Sequence, residues 1–307
     1  MKIAIMGAGG VGGYYGGLLA RQGQEVTFLA RRLHLEAIRR DGLQVHSLHG
    51  DFTIHPARAT DTPSEVGPMD LVLVCTKTYS TDAVIQVMQP LVGPQTVVVS
   101  LQNGIDAAER IGVAIGMSHI LGGATWLSSA VEAPGVIRQV SQFRRVVIGE
   151  LDGSLTPRVQ TIANLFSPTG VTIEVSENIS KILWTKFVFI SAVSGVGALT
   201  RLELGDFCRV PETRALLAGL MREVEALARL GGVALDADVV QQTLAFIDQS
   251  DSHIKPSMQR DVERGSQFEL ESLIGVVGRK GRSLGVPTPI ADMIYATLLP
   301  VLLKAAM

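Results

Sequence analysis

Short apolar runs alternate with helix-patterned segments along the first half of the chain. Residues 3–6, 69–75 and 96–100 are near-continuous apolar runs, as expected for strands buried on both faces of a parallel sheet, and 25–30 reads as a further strand. Segments 33–41, 81–89, 105–112 and 156–166 carry helical spacing. Runs 43–48 and 51–55 flank His49-Gly50, a hairpin signal. Residues 119–149 read as strands with Pro134-Gly135 as one turn, and 171–175 reads as a further strand. From residue 178 the pattern changes. Segments 178–200, 212–230, 237–249, 267–284 and 290–306 all read as helices, punctuated by Gly205, Pro211, Gly231-Gly232, Pro256 and Pro287. Strand–helix alternation followed by helices alone predicts an α/β domain and then an all-helical one.

The first strand runs straight into Gly7-Ala8-Gly9-Gly10-Val11-Gly12, and a helix-compatible stretch continues to Arg21. This is G-x-G-x-x-G in the order strand, turn, helix, the dinucleotide-binding arrangement of a Rossmann-type domain. Gly7 makes the tight turn, Gly9 admits a pyrophosphate to the backbone, and Gly12 lets the helix pack on the strand. The helix N-terminus offers unpaired N–H groups to the phosphates. A signal peptide is the competing reading of Lys2 followed by apolar and small residues. The seven glycines from Gly7 to Gly17 argue against it, because they weaken an apolar helix. The second strand ends Ala30-Arg31-Arg32, with no acid at its tip to bind a ribose 2′-hydroxyl. Arg31 suits a 2′-phosphate instead, so the expected cofactor is NADP(H).

Length and charge narrow the class. At 307 residues two domains are expected, and we place the boundary near Ser176: an NADP-binding domain over 1–176 and a helical substrate and catalytic domain over 177–307. A net charge of −2 with 18% charged residues gives no basic field for nucleic acid. Cys75 and Cys208 form no disulfide framework, and Cys75 reads as inert core. The most membrane-like run, 187–199, is short and rich in Ser and Gly, so no membrane partner and a cytoplasmic location are expected. A homodimer is left open.

Candidate chemistry stands at strand ends and on helix faces. Lys77 and Asn103 follow the third and fourth buried strands, where ligands of such sheets bind. Lys186 has Ile182, Leu183, Phe189 and Ile190 at helical spacing, so it either snorkels from an apolar stripe or is buried for chemistry. Ser266-Gln267-Phe268-Glu269 fits a capping box opening a helix. His46, His49 and His55 lack metal-ligand spacing and read as surface residues of the hairpin, so no metal is expected.

Together these residues carry a resemblance over essentially the whole chain. Gly7 to Gly12, Arg31, Lys77 in VCTKTYST, Asn103 in LQNG, Leu183-Trp184-Thr185-Lys186, Ala198-Leu199-Thr200, and Ser257-Met258-Gln259-Arg260-Asp261 with Gly265 and Glu269 resemble the ketopantoate reductase (2-dehydropantoate 2-reductase) family. The resemblance implies a two-domain NADPH enzyme reducing a small 2-oxo acid, ketopantoate, to D-pantoate on the route to pantothenate. It implies Lys186 as general acid and Glu269 as its partner, also touching the substrate hydroxyl. Ser257 would bind near the substrate carboxylate. Asn103 would hold cofactor and substrate in register, and Arg31 would read the 2′-phosphate beside Lys77.

Two positions depart from the family pattern. The family commonly has asparagines four and eight residues after the lysine, on its helix face, lining the substrate. This chain has Ile190 and Ser194 there. A D-2-hydroxy acid dehydrogenase of the same family, acting on another branched 2-oxo acid, is the alternative enzyme. A non-catalytic NADP-binding regulator is the alternative of another class, and the presence of both Lys186 and Glu269 argues against it.

Overall fold

The computed structural model describes residues 1–305, and its packing separates two compact units. The first comprises Met1–Gln102 and Asp106–Ile179. The second comprises Asn103–Ile105 and the chain from Ser180 onward. In chain order the first unit runs β1 (Lys2–Met6), α1 (Gly10–Arg21), β2 (Glu25–Leu29), α2 (Arg32–Asp41), β3 (Leu43–Ser47), β4 (Phe52–Ile54), β5 (Arg58–Thr60) and β6 (Met69–Val74). It continues with α3 (Thr81–Met88), β7 (Val92–Ser100), α4 (Ala107–Ile115), β8 (Ile120–Ala133), β9 (Val136–Gly149), α5 (Pro157–Phe166) and β10 (Thr172–Val175). The strands form one sheet in the order β4-β3-β9-β8-β7-β6-β1-β2-β5, with β10 on β9.

The parallel core of this sheet is β7-β6-β1-β2-β5. Its central strands β1 and β6 and the second half of β7 are apolar because both faces are covered, and the side-chain period of two sorts them. Ile3, Ile5, Phe28, Leu71 and Val99 pack with Tyr15 and Leu19 of α1 and Phe166 of α5. Ala4, Met6, Leu29, Val72 and Val98 pack on the other face with Val84 and Met88 of α3 and Ile111 of α4. Beyond this core, β8 and β9 make a long antiparallel hairpin, and β3 and β4 a short one through His49-Gly50, as the turn residues predict.

The second unit runs α6 (Ile179–Thr200, entered one residue before the unit begins), α7 (Leu204–Arg209), α8 (Pro211–Leu230), α9 (Val239–Asp248), α10 (Ser257–Glu263), α11 (Val276–Leu284) and α12 (Pro289–Ala305). Its core joins Phe187, Val188, Val193 and Val196 of α6 to Leu220, Met221 and Val224 of α8 and Ile294 and Leu298 of α12. By length and composition α6 could cross a membrane, a feature the 187–199 reading understated; its apolar residues instead form this core. Glu223 of α8 accepts the N–H groups of Ile290 (2.7 Å) and Ala291 (2.9 Å), capping α12 from outside.

Several expectations need correction. β5, α7 and α10 went unseen because three to seven residues show no periodicity. The expected helix 105–112 begins at Ala107, since Asn103–Ile105 packs with the other unit. The capping box does not form. Ser266 to Glu269 lie outside the helix, which starts at Leu270 and opens with a π-turn over Glu271–Gly275. Glu269 therefore directly precedes the first helical residue instead of sitting three residues inside, and its backbone oxygen accepts the Leu273 N–H at 3.1 Å. The last helix is expected through Ala306, which lies outside the described residues.

The five glycines of α1 would destabilise an isolated helix by up to ~1 kcal/mol each. Tight packing explains them. A Cβ at Gly16 would lie 2.6 Å from Ile5 Cγ1 and 2.7 Å from Phe28 Cε1, both fully buried, whereas a Cβ at Gly9 meets nothing within 4 Å. Gly16→Ala should therefore lower stability by about 1–2 kcal/mol despite the better helix former, because overpacking outweighs propensity. In urea unfolding, Gly9→Ala should cost less, about 0.5 kcal/mol from the poorer N-cap alone. Equal midpoints for the two variants would contradict the close approach of α1 to β1.

Candidate active site

In the first unit, the chain leaves β1 through a turn that only glycine takes readily. Gly7 has φ +101°, and a Cβ there would meet Thr76 Cγ2 at 2.6 Å. The Gly7 and Ala8 N–H groups both reach Leu29 O, at 3.3 and 3.0 Å, tying the turn to the end of β2. Gly9 occupies the N-cap of α1 and has no side chain to accept the first-turn N–H groups. No acid stands in that turn either. Gly10, Val11 and Gly12 thus begin a helix whose positive end is left for an anion. Gly12 has no room for a Cβ, which would strike Gly7 O and Ile5.

His34 of α2 braces this loop, and sequence reasoning missed it. Its Nδ1 accepts the Gly135 N–H (2.9 Å), so Nε2 carries the proton and donates to Ala8 O (2.8 Å). One neutral imidazole thereby joins the glycine loop to the β8–β9 turn. A histidine three residues past Arg31 gives no sequence signal of that tertiary role.

Arg31 is exposed at the N-cap of α2, where its backbone oxygen accepts the Leu35 N–H at 3.4 Å, and its side chain makes no hydrogen bond or ion pair among the described residues. Arg32, next to it, takes the left-handed region at φ +52°, uncommon for arginine. Lys77 lies three residues beyond β6, immediately before a 3-10 turn over Thr78–Ser80. The loop before it is held by a second overlooked residue, Gln102. Its buried amide donates to Thr76 O (3.0 Å), Thr76 Oγ1 (3.2 Å) and Thr81 Oγ1 (3.1 Å). A buried glutamine at a strand end was the available signal.

In the second unit, α6 carries Lys186 and Asn103 meets it. Lys186 Nζ donates to Asn103 Oδ1 at 3.1 Å. Loss of surrounding water pushes the lysine pKa down to about 8, while the negative charge of Glu269 pulls the other way. Glu269 is 3% exposed. Lys186, Asn103 and Glu269 are thus brought together electrostatically, one from α6, one from the segment after β7, one from the residue before the π-turn. π-turns recur at functional sites because they redirect neighbouring residues.

Ile190 lies one turn beyond Lys186 on α6 and is partly buried against the helical core. Ser194, two turns beyond, is fully buried, and its hydroxyl has no hydrogen-bond partner. Ser257 is the first residue of α10 and is partly buried. Cys75 is pushed up to about 12 by burial, which keeps it an unreactive thiol. Among the described residues no group of three or more His, Cys, Asp or Glu could hold a metal ion.

Comparison with known proteins covers both units. The chain matches the model described as ketopantoate reductase PanE/ApbA over residues 3–153, and its C-terminal counterpart over residues 178–301. It is 32% identical over 298 residues to an uncharacterized oxidoreductase, YkpB, of Bacillus subtilis, covering 97% of this chain and 98% of that protein. It is 31% identical over 317 residues to a 2-dehydropantoate 2-reductase of Mesorhizobium japonicum, covering 96% of each. A solved PanE/ApbA family ketopantoate reductase from Ralstonia eutropha JMP134 superposes with a TM-score of 0.92 at 32% identity, covering 100% of both chains. The Rossmann-like first part, the helical second part and the matched motifs agree, and the chain belongs to the ketopantoate reductase PanE/ApbA family of oxidoreductases.

Proposed function

We propose that this protein is an NADPH-dependent 2-oxo acid reductase converting 2-dehydropantoate to D-pantoate. The observation that carries the reading is Lys186: a partly buried lysine with its pKa lowered to about 8, hydrogen-bonded to Asn103 and facing the charge of Glu269. Relatives named 2-dehydropantoate 2-reductase, matched over nearly the full chain, support the substrate.

The residues of the first unit fit a phosphorylated dinucleotide. The open space at Gly9 and the uncapped start of α1 suit a pyrophosphate, and Arg31, unpaired and at the tip of β2, suits a 2′-phosphate. Lys77 stands in the loop after the neighbouring strand and adds a second cation. When bound, the nicotinamide supplies the hydride. Reduction of a ketone then leaves an alkoxide oxygen, which needs one proton.

Lys186 provides that proton from its ammonium and is left as a neutral amine, to be recharged from water. Its lowered pKa makes it a better acid near neutral pH than an ordinary lysine. Asn103 Oδ1 takes one of its three N–H bonds and so directs the other two. Glu269 offsets part of the desolvation and keeps the lysine charged. Ser257 binds the carboxylate end of the substrate.

Ile190 and Ser194 favour a second reading. An alkyl side chain and a buried, unpartnered hydroxyl stand where the resemblance leads one to expect two amides. A substrate with a larger apolar branch than 2-dehydropantoate fits that wall better. Following NADPH oxidation with 2-dehydropantoate beside a panel of branched 2-oxo acids ranks the two readings, and inactivity toward the whole panel rejects both.

Three outcomes test the residues. NADPH should bind more tightly than NADH, and Arg31→Ala should weaken NADPH about ten- to hundred-fold, the loss of one charge-assisted contact of roughly 1.5–3 kcal/mol. Equal affinities of the unaltered protein for both nucleotides would remove Arg31 from the site.

Lys186→Ala should lower kcat by about 10²–10⁴ with NADPH affinity retained. A variant keeping most of its turnover would make the lysine a packing residue.

The pH profile has a definite sign. Reduction needs protonated Lys186, so kcat/KM should be flat below pH about 8 and fall above it. Glu269→Gln removes the group that raises this pKa, so the alkaline limb should move to lower pH and activity at neutral pH should drop. An unmoved limb would dissolve the proposed pair.

A further inference from the structure

A cavity of about 240 Å³ lies in the first unit, between α1, the β3–β4 hairpin, β9 and the loop after α5. Its wall carries Tyr14 and Arg21 from α1, His49 and Phe52 from the hairpin, Arg144 from β9, and Gly170 from the loop. Two guanidinium groups and an imidazole line it, and no carboxylate does. Asp51, the acid on the hairpin turn, accepts the Ser47 N–H at 2.9 Å.

The cationic side chains are held in place. Arg21 Cζ stacks 5.2 Å from the centroid of the Phe52 ring. Arg144 packs where a side chain at residue 170 would be: a Cβ on Gly170 would lie 2.9 Å from its Nη2, and Gly170 itself has φ +75°. Among the described residues the Arg144 side chain has no ion pair and no hydrogen-bond partner, while its backbone belongs to the β8–β9 ladder. An independent sign comes from the tyrosines. Tyr15 bonds Thr125 Oγ1 at 2.6 Å. Its neighbour Tyr14, 1% exposed, has a hydroxyl with no partner. A buried phenol without a partner is costly unless something satisfies it, and the partly buried Arg144 brings a guanidinium with no counter-charge to the same cavity.

The geometry points to a second anion site here, for the phosphate group of a small phosphomonoester. Two permanent guanidinium charges match a phosphate, which carries about −1.5 to −2 at neutral pH, better than a singly charged carboxylate. The faces of Phe52 and Leu18 offer the apolar wall for the organic part. The cationic end of the cavity is separate from the glycine loop, since Arg21 lies eleven residues along α1 from Gly10, roughly 16 Å of helix.

Inorganic phosphate is the probe, titrated at constant ionic strength against sodium chloride, with thermal unfolding and calorimetry as readouts. Phosphate should raise Tm and bind the unaltered protein. Arg144→Gln should weaken binding at least tenfold, and Tyr14→Phe severalfold. Arg31→Ala should leave it unchanged, which separates this site from phosphate captured beside the glycine loop. If Arg144→Gln fails to fold, Arg144→Lys, which keeps the charge and loses the fork, should weaken binding severalfold. Equal binding by the unaltered protein and the folded Arg144 variant overturns the proposal, as does loss of binding in Arg31→Ala. Tighter binding of acetate than of phosphate also overturns it. Chloride giving the same Tm rise would reduce the cavity to a site for an adventitious ion only.

Discussion

Helix α1 lies against β1 at backbone distance, and much else in the first unit depends on that contact. Gly12 and Gly16 remove the side chains that would hold the two apart. Once they touch, Ile5 and Phe28 fill the space over Gly16. The turn between them then has one path, through the positive φ of Gly7 and the shared acceptor Leu29 O. The uncapped helix start is independent of this closeness, since a Cβ at Gly9 meets nothing within 4 Å: a Ser, Thr, Asp or Asn there would supply its own oxygen and compete with an anionic ligand.

The glycine loop and the apolar parallel strands were readable because their signals are local and repeat at a fixed period. Lys186 was readable only as an anomaly, a charge on an apolar helix face, and the pattern alone favoured the ordinary reading as a snorkelling residue until the family resemblance gave it a role. Glu269 shows where local pattern fails. Ser266-x-x-Glu269 has the letters of a capping box, yet the helix begins one residue after the glutamate. That carboxylate is buried and acts on a lysine, an arrangement that local capping rules do not describe. His34 and Gln102 left still less trace. Each acts through backbone groups distant in sequence, and a hydrogen bond to a carbonyl puts no constraint on the partner's side chain.

The two units place charge under opposite conditions. Arg31 stands in water, where its interaction with a ligand is screened by salt and modest until the ligand desolvates it. Lys186 has already lost much of its water, so its charge is less stable and more responsive to a neighbour. Glu269 can therefore act on it strongly. The same carboxylate opposite a solvated lysine would do little.

The chain passes between the units three times, at 102/103, 105/106 and 179/180. The helical unit is consequently not one continuous piece of sequence: Asn103, the acceptor for Lys186, arrives from the chain emerging from β7. Exchange of parts between relatives has to respect this threading. A chimera joined at 179/180 would seat a foreign 103–105 segment beside the native lysine, so recombination can preserve both folds and still mismatch the Lys186–Asn103 hydrogen bond.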